Sequence, residues 1–147
     1  MRDLNPFQQR QAQRLTYAGI LPPWIALGVG QVISVAWLGH AALTYGAVIA
    51  SFICGMHWAT FTHGTAPADA RLLLTSNAGA LAAWAMVLLA IWSMPLALVG
   101  LVGVLAALLA VDRRLVADGV IPAWFFALRR NATIGLGAGL LVWAALA

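Results

Sequence analysis

Cys54, Met56, His57 and His63 stand together in the stretch SFICGMHWATFTH, residues 51–63. Thiolate, thioether and imidazole are the side chains that ligate metals and haem, and imidazole also carries protons near neutral pH. On a helix, Cys54 and His57 lie one turn apart and share a face. His63, six residues past His57, does not share it, and Met56 points elsewhere. One Cys and one His on one helix supply two ligands, fewer than a metal site needs. A bis-His haem needs a second buried His on a facing helix, and His40 belongs at the opposite end of the same segment. The spacing therefore weighs against metal and haem, and no cofactor is expected. What remains is a proton relay or a polar anchor between helices.

The elements that would carry these residues follow from composition. The chain has 147 residues, 63% hydrophobic and 8% charged, with eight Arg, no Lys, four Asp and no Glu. A soluble domain averages about 25% charged residues, so lipid is the expected solvent for this surface. A bilayer core of about 30 Å asks for roughly 20 apolar residues per helical span. Five stretches answer: about 22–38, 41–63, 72–92, 95–111 and 123–147. No alternation of period two appears, which excludes strand-based spans. The expected fold is an all-α integral membrane protein, one domain over 1–147, a bundle of five transmembrane helices with short turns at LGH and SM. Residues 5–18 read either as a short interfacial helix opened by Asn5 and Pro6 or as a disordered tail.

Under five spans, Arg2, Arg10, Arg14, Arg71, Arg113, Arg114, Arg129 and Arg130 all fall on one side. The positive-inside rule then places the N-terminus in the cytoplasm and the C-terminus outside. Trp24 and Trp124 are expected at the inner interface, and Trp37, Trp92 and Trp143 at the outer. Ala47, Ser51, Gly55 and Ala59 at steps of four, and Gly135 with Gly139, read as seams of close helix packing. The polar N-terminal stretch MRDLNPFQQRQAQR has no small-residue cleavage site after it and does not read as a signal or transit peptide. The Lys-free, Ala-, Gly-, Leu- and Arg-rich composition points to a GC-rich bacterial genome. The net charge of +4 comes from Arg placed singly or in pairs, without the basic, aromatic-interleaved surface that binds nucleic acid.

YGAVIASFICGMHW, SNAGALAAW, and Asp112 followed by GVIPAWFFALRRNAT resemble the transmembrane protein 69-like family, a domain of unknown function in bacteria and animal mitochondria. The resemblance carries over to Tyr45, Ser51, Phe52, Gly55, His57, Trp58, Ser76, Trp84, Asp112, Gly119, Pro122, Trp124, Leu128, Arg129 and Thr133. It departs at Ala59, where a Gly is usual, and at Phe125, which lacks the hydroxyl of the usual Tyr. It implies a multi-pass protein of the bacterial inner membrane and no particular reaction.

A polar group in a span usually faces the bundle interior and a partner. His57, Ser76, Asn77, Asp112, Arg129 and Thr133 come from four helices at similar depth, so they form the candidate polar cluster. Asp112 and Arg129 are the expected ion pair, and the cluster either locks helix ends or holds a lipid headgroup or quinone. Three function classes compete. The reading that fits best is a non-enzymatic accessory, assembly or scaffold component, with the bilayer, a larger membrane complex or a second copy as partners. The alternative is a small transporter or proton path, against which stand the absence of mid-bilayer charge and of an internal repeat. A lipid- or quinone-modifying enzyme lacks a carboxylate pair and a nucleophile motif.

Overall fold

Proline, serine and glycine decide where the helices start and stop. The computed structural model describes residues 5–32, 37–63 and 71–147. Among them are six helices and no strand: α1 Pro6–Ala18, α2 Leu21–Val32, α3 Leu38–His63, α4 Arg71–Leu89, α5 Met94–Ala117 and α6 Ala123–Leu146. Asn5 caps α1 in a capping box, its Oδ1 accepting from Gln8 N–H at 2.8 Å while Gln8 Oε1 accepts from Asn5 N–H at 3.0 Å. Ser93 caps α5, whose first turn carries Pro95. After α5, Gly119 takes φ 71° and lets Val120 N–H reach back to Leu115 C=O at 2.8 Å. That is a Schellman stop, and it needs the residue without a Cβ.

Pro22 and Pro23 lie in the first turn of α2, near the expected start of the first span, and break a longer helical stretch that begins at Pro6. A prolyl nitrogen has no hydrogen to give the carbonyl four residues back. Ala18 and Gly19 therefore lose their helical donors, and the helix interrupts at Gly19–Ile20. Tyr45 makes good the second loss, its hydroxyl donating to Gly19 C=O at 2.7 Å. Ala12, Leu15 and Thr16 of α1 share one cavity wall with Ile49, Ile53 and Met56 of α3. So the expected helix over residues 5–18 forms, and it packs beside α3 and α6. Leu38, expected to close the first span, opens α3; residues 33–36 lie outside the described residues.

Among the described residues four stretches are long and apolar enough to cross a membrane: Pro6–Val32, Leu38–His63, Arg71–Leu89 and Met94–Ala117. This is the make-up of a membrane protein. Helix α6 is comparably long at 24 residues, but Arg129, Arg130 and Asn131 dilute its apolar content. Helix α5 continues to Ala117, well past the Val111 at which hydropathy ends the apolar run, so Asp112 sits inside a helix.

Helix α3 is the centre. Its buried stripe runs Leu38, Ala42, Leu43, Gly46, Ala47, Ala50, Ile53, Cys54, His57, stepping mostly by three and four. The expected seam Ala47, Ser51, Gly55, Ala59 is not the packing face: only Ala47 is buried, and the other three are exposed. At 3.6 residues per turn each step of four overshoots by about 40°, so three such steps rotate off the face. The Gly135/Gly139 pair does pack, and against its own bundle. A Cβ at Gly135 would come 2.8 Å from Ile20, and one at Gly139 3.2 Å from the Trp24 indole. Trp24 Nε1 donates to Gly135 C=O at 3.0 Å and Trp143 Nε1 to Pro23 C=O at 3.1 Å. Trp24 and Trp143 thus lie about a turn or two apart along one α2–α6 contact, which corrects their expected placement at opposite interfaces.

Candidate functional site

His57 continues the buried stripe of α3 to within six residues of the helix end, about 9 Å at 1.5 Å per residue. Opposite it, Asp112 on α5 and Arg129 on α6 stand five and six residues from the α5 C-terminus and the α6 N-terminus. The Gly119 turn connects those two ends and seats Val120 and Ile121 against Leu72 and Leu115, a small apolar cluster that closes the site from below. Three helices thereby bring three ionisable side chains to one point.

His57 Nε2 lies 2.7 Å from Asp112 Oδ1. Arg129 donates to Asp112 Oδ2 from Nε at 3.0 Å and from Nη2 at 2.9 Å. His57 is 3% exposed and Asp112 2%. A carboxylate held by a guanidinium accepts at both oxygens, so His57 donates Nε2–H to Oδ1. The other ring nitrogen, Nδ1, is buried and has no hydrogen-bond partner. His57 and Asp112 line a void of about 10 Å³ together with Ile53, Met56, Thr60, Leu115, Ile121 and Phe125. Space of roughly 10–15 Å³ is what a single water needs.

A larger cavity, about 380 Å³, lies between α1, α3 and α6. It shares Ile53, Met56, Phe125 and Arg129 with the void beside His57. Its walls are apolar apart from Thr16, Arg129 and Thr133. Arg129 therefore belongs both to a largely apolar cavity and to a charged triad.

The remaining cluster residues take different places. Ser76 is fully buried on α4 and its Oγ donates to Cys54 C=O at 2.9 Å, one turn from His57, so it staples α4 to α3 without touching the triad. Asn77 is exposed and takes no part. Thr133 is half-buried one turn beyond Arg129 and lines the larger cavity. Cys54 is a buried free thiol. Among the described residues no group of three or more His, Cys, Asp or Glu could hold a metal ion.

Sequence reasoning named Arg129 and Thr133 in a ligand-holding cluster but did not find the cavity's other walls, because they come from helices far apart in the chain. Nor did it find Tyr45 as the partner of Gly19. The Pro22–Pro23 pair held that signal, since two missing N–H groups announce two carbonyls in need of donors.

The family model for a protein of unknown function, DUF3429, matches residues 8–145. No curated protein and no solved structure matches the chain.

Proposed function

The chain belongs to the DUF3429 family of proteins of unknown function, and from that premise we propose that it is a non-enzymatic accessory, assembly or scaffold component of the bacterial inner membrane. In this reading it crosses the bilayer five times, with α1 and α2 forming one broken span. The N-terminus faces the cytoplasm and the C-terminus the outside, as the one-sided Arg distribution favours. Its likeness to the transmembrane protein 69-like family belongs to the same proposal. The polar cluster about His57 serves to lock the helices and to hold a small ligand, a lipid headgroup or a quinone.

One observation carries this. Among the described residues the buried polar side chains are His57, Ser76 and Asp112, and each is spent on joining one helix to another. A catalytic group needs a reactive atom aimed at a substrate, whereas His57 Nε2, Ser76 Oγ and the Asp112 oxygens are aimed at neighbouring helices, and only His57 Nδ1 is left for a small ligand. The test is native mass spectrometry of gently extracted protein, run on the parent chain and on His57→Gln. An amide can still donate to Asp112, so both should carry the same partner subunit or second copy. Finding only monomers, in membranes whose overproduced protein turns over lipid or quinone and loses that turnover with His57→Gln, defeats the reading.

A further inference from the structure

We propose that the cavity between α1, α3 and α6 binds a neutral, single-chain amphiphile with an oxygenated head, the chemistry of a prenyl quinone or its quinol. The inference rests on the ligand-holding part of the reading above and settles which ligand. Size comes first. Ligand pockets run from about 300 to 1,000 Å³, and this one is about 380 Å³. It has room for one ring and a short length of one chain, and none for a two-chain phospholipid. Polarity comes next: Leu15, Ile20, Ile49, Phe52, Leu128 and Leu136 offer a tail an unbroken apolar wall.

Charge decides the head. Arg129 already spends Nε and Nη2 on one oxygen of Asp112. Its positive charge is matched, so a phosphate or carboxylate head would leave an uncompensated anion against largely apolar walls, which is costly. Nη1, with no hydrogen-bond partner among the described residues, still offers N–H donors, and a neutral carbonyl or hydroxyl oxygen accepts from them without adding charge. The unpartnered Nδ1 of His57 is the second observation. The void that His57 lines shares Ile53, Met56, Phe125 and Arg129 with the cavity and admits an oxygen at most. A head hydroxyl there donates to Nδ1, which suits a quinol; a quinone carbonyl is served by Arg129. Access is past α1, which contains no fully buried residue and has Leu15 exposed opposite the exposed Phe52.

The experiment uses the full chain in phosphatidylcholine nanodiscs and a short-tailed azidoquinone as photolabel. Expected is saturable labelling of peptides covering 12–20 and 125–136. An unlabelled short-tailed quinone and its quinol should compete, and decyl phosphate should not. Ala132→Phe, which fills the cavity without touching Asp112, should cut labelling about tenfold, the equivalent of 1.4 kcal/mol. Thr133→Leu gives the same readout if the Phe variant fails to fold. Equal or better competition by decyl phosphate overturns the neutral head. Labelling that does not saturate, or that both variants leave unchanged, overturns the site. Either failure with the co-purifying assemblies intact leaves the accessory reading standing; loss of the assemblies with labelling intact does the reverse.

Discussion

The two ends of the bundle are joined by different physics. At the Arg-bearing end, α3, α5 and α6 meet through His57, Asp112 and Arg129, with bonds of 2.7–3.0 Å. At the other end the same three helices meet through Gly46, Leu101 and Leu140, with both leucines fully buried. There a Cβ on Gly46 would come 2.8 Å from Leu101 Cδ2 and 3.1 Å from Leu140 Cδ1. In lipid, contact between apolar side chains gains no hydrophobic drive and rests on close fit. Directional bonds between opposite charges make one arrangement much better than its neighbours. The polar end therefore fixes rotation and register, while the apolar end supplies tight fill. A polar end fails when a partner is removed, and a packed end fails when volume is added.

The largest expected effect is at the polar end. Asp112→Ala strips His57 and Arg129 of their shared acceptor. Breaking a buried pair costs about 3–5 kcal/mol; Arg129, its side chain 11% exposed, softens this by reaching toward water. Reversible unfolding in mixed micelles measures it. Adding Arg129→Ala should recover part of the loss, with a coupling of about 0.5–3 kcal/mol. Strictly additive losses mean that the two residues act separately.

Gly46→Val tests the opposite end and should cost about 1–3 kcal/mol by overpacking. Its remedy is different in kind: Leu101→Ala in the same chain should restore much of the loss by making room. No relief from that second change means that the cost lies in the helix backbone and not in the contact.

What is legible in the sequence divides along the same line. Composition requires helices in lipid, and the apolar stripe of α3, at steps of three and four, turns His57 inward by its spacing alone. Asp112 is harder to place. Hydropathy ends the apolar run at Val111, yet α5 continues because a helix needs only backbone bonds, and Asp112 has its charge met by Arg129. Asn77 and Ser76 are adjacent and equally polar, and only the position of α3 decides that Ser76 is covered and Asn77 bare. The α3 seam misleads because abundant small residues at steps of four look alike whether or not the steps drift around the axis. The triad's members can thus be named from sequence, but their meeting depends on helix rotations that neighbouring helices set.

Gly119 links the comparison to local backbone. Its turn delivers Arg129 to Asp112, and among the described residues no other glycine has a positive φ. A non-glycine residue in the left-handed region costs about 1–2 kcal/mol, so Gly119→Ala should lower stability toward the smaller of those figures. The loss should be smaller in the Asp112→Ala background, where Arg129 no longer has an acceptor to reach. Equal losses in both backgrounds separate the turn from the triad.

The smallest effect lies between the two ends, at Tyr45. Its hydroxyl donates to Gly19 C=O at 2.7 Å, a carbonyl without a helical donor because residue 23 is proline. Interhelical hydrogen bonds in membranes average about 0.6 kcal/mol, so Tyr45→Phe should cost roughly that. The background decides the cause. Pro23→Ala restores an N–H four residues after Gly19, which can close the break between α1 and α2 and occupy the same carbonyl. In that chain the Tyr45 hydroxyl has less to satisfy, and Tyr45→Phe should become close to neutral. Amide exchange at residue 23 in the alanine variant, slowed relative to an unbonded amide, would report the new bond directly. If Tyr45→Phe costs the same with and without Pro23, the hydroxyl is not compensating for the missing proline donor. The break at Gly19–Ile20 then owes its form to the packing of Ile20 on Gly135.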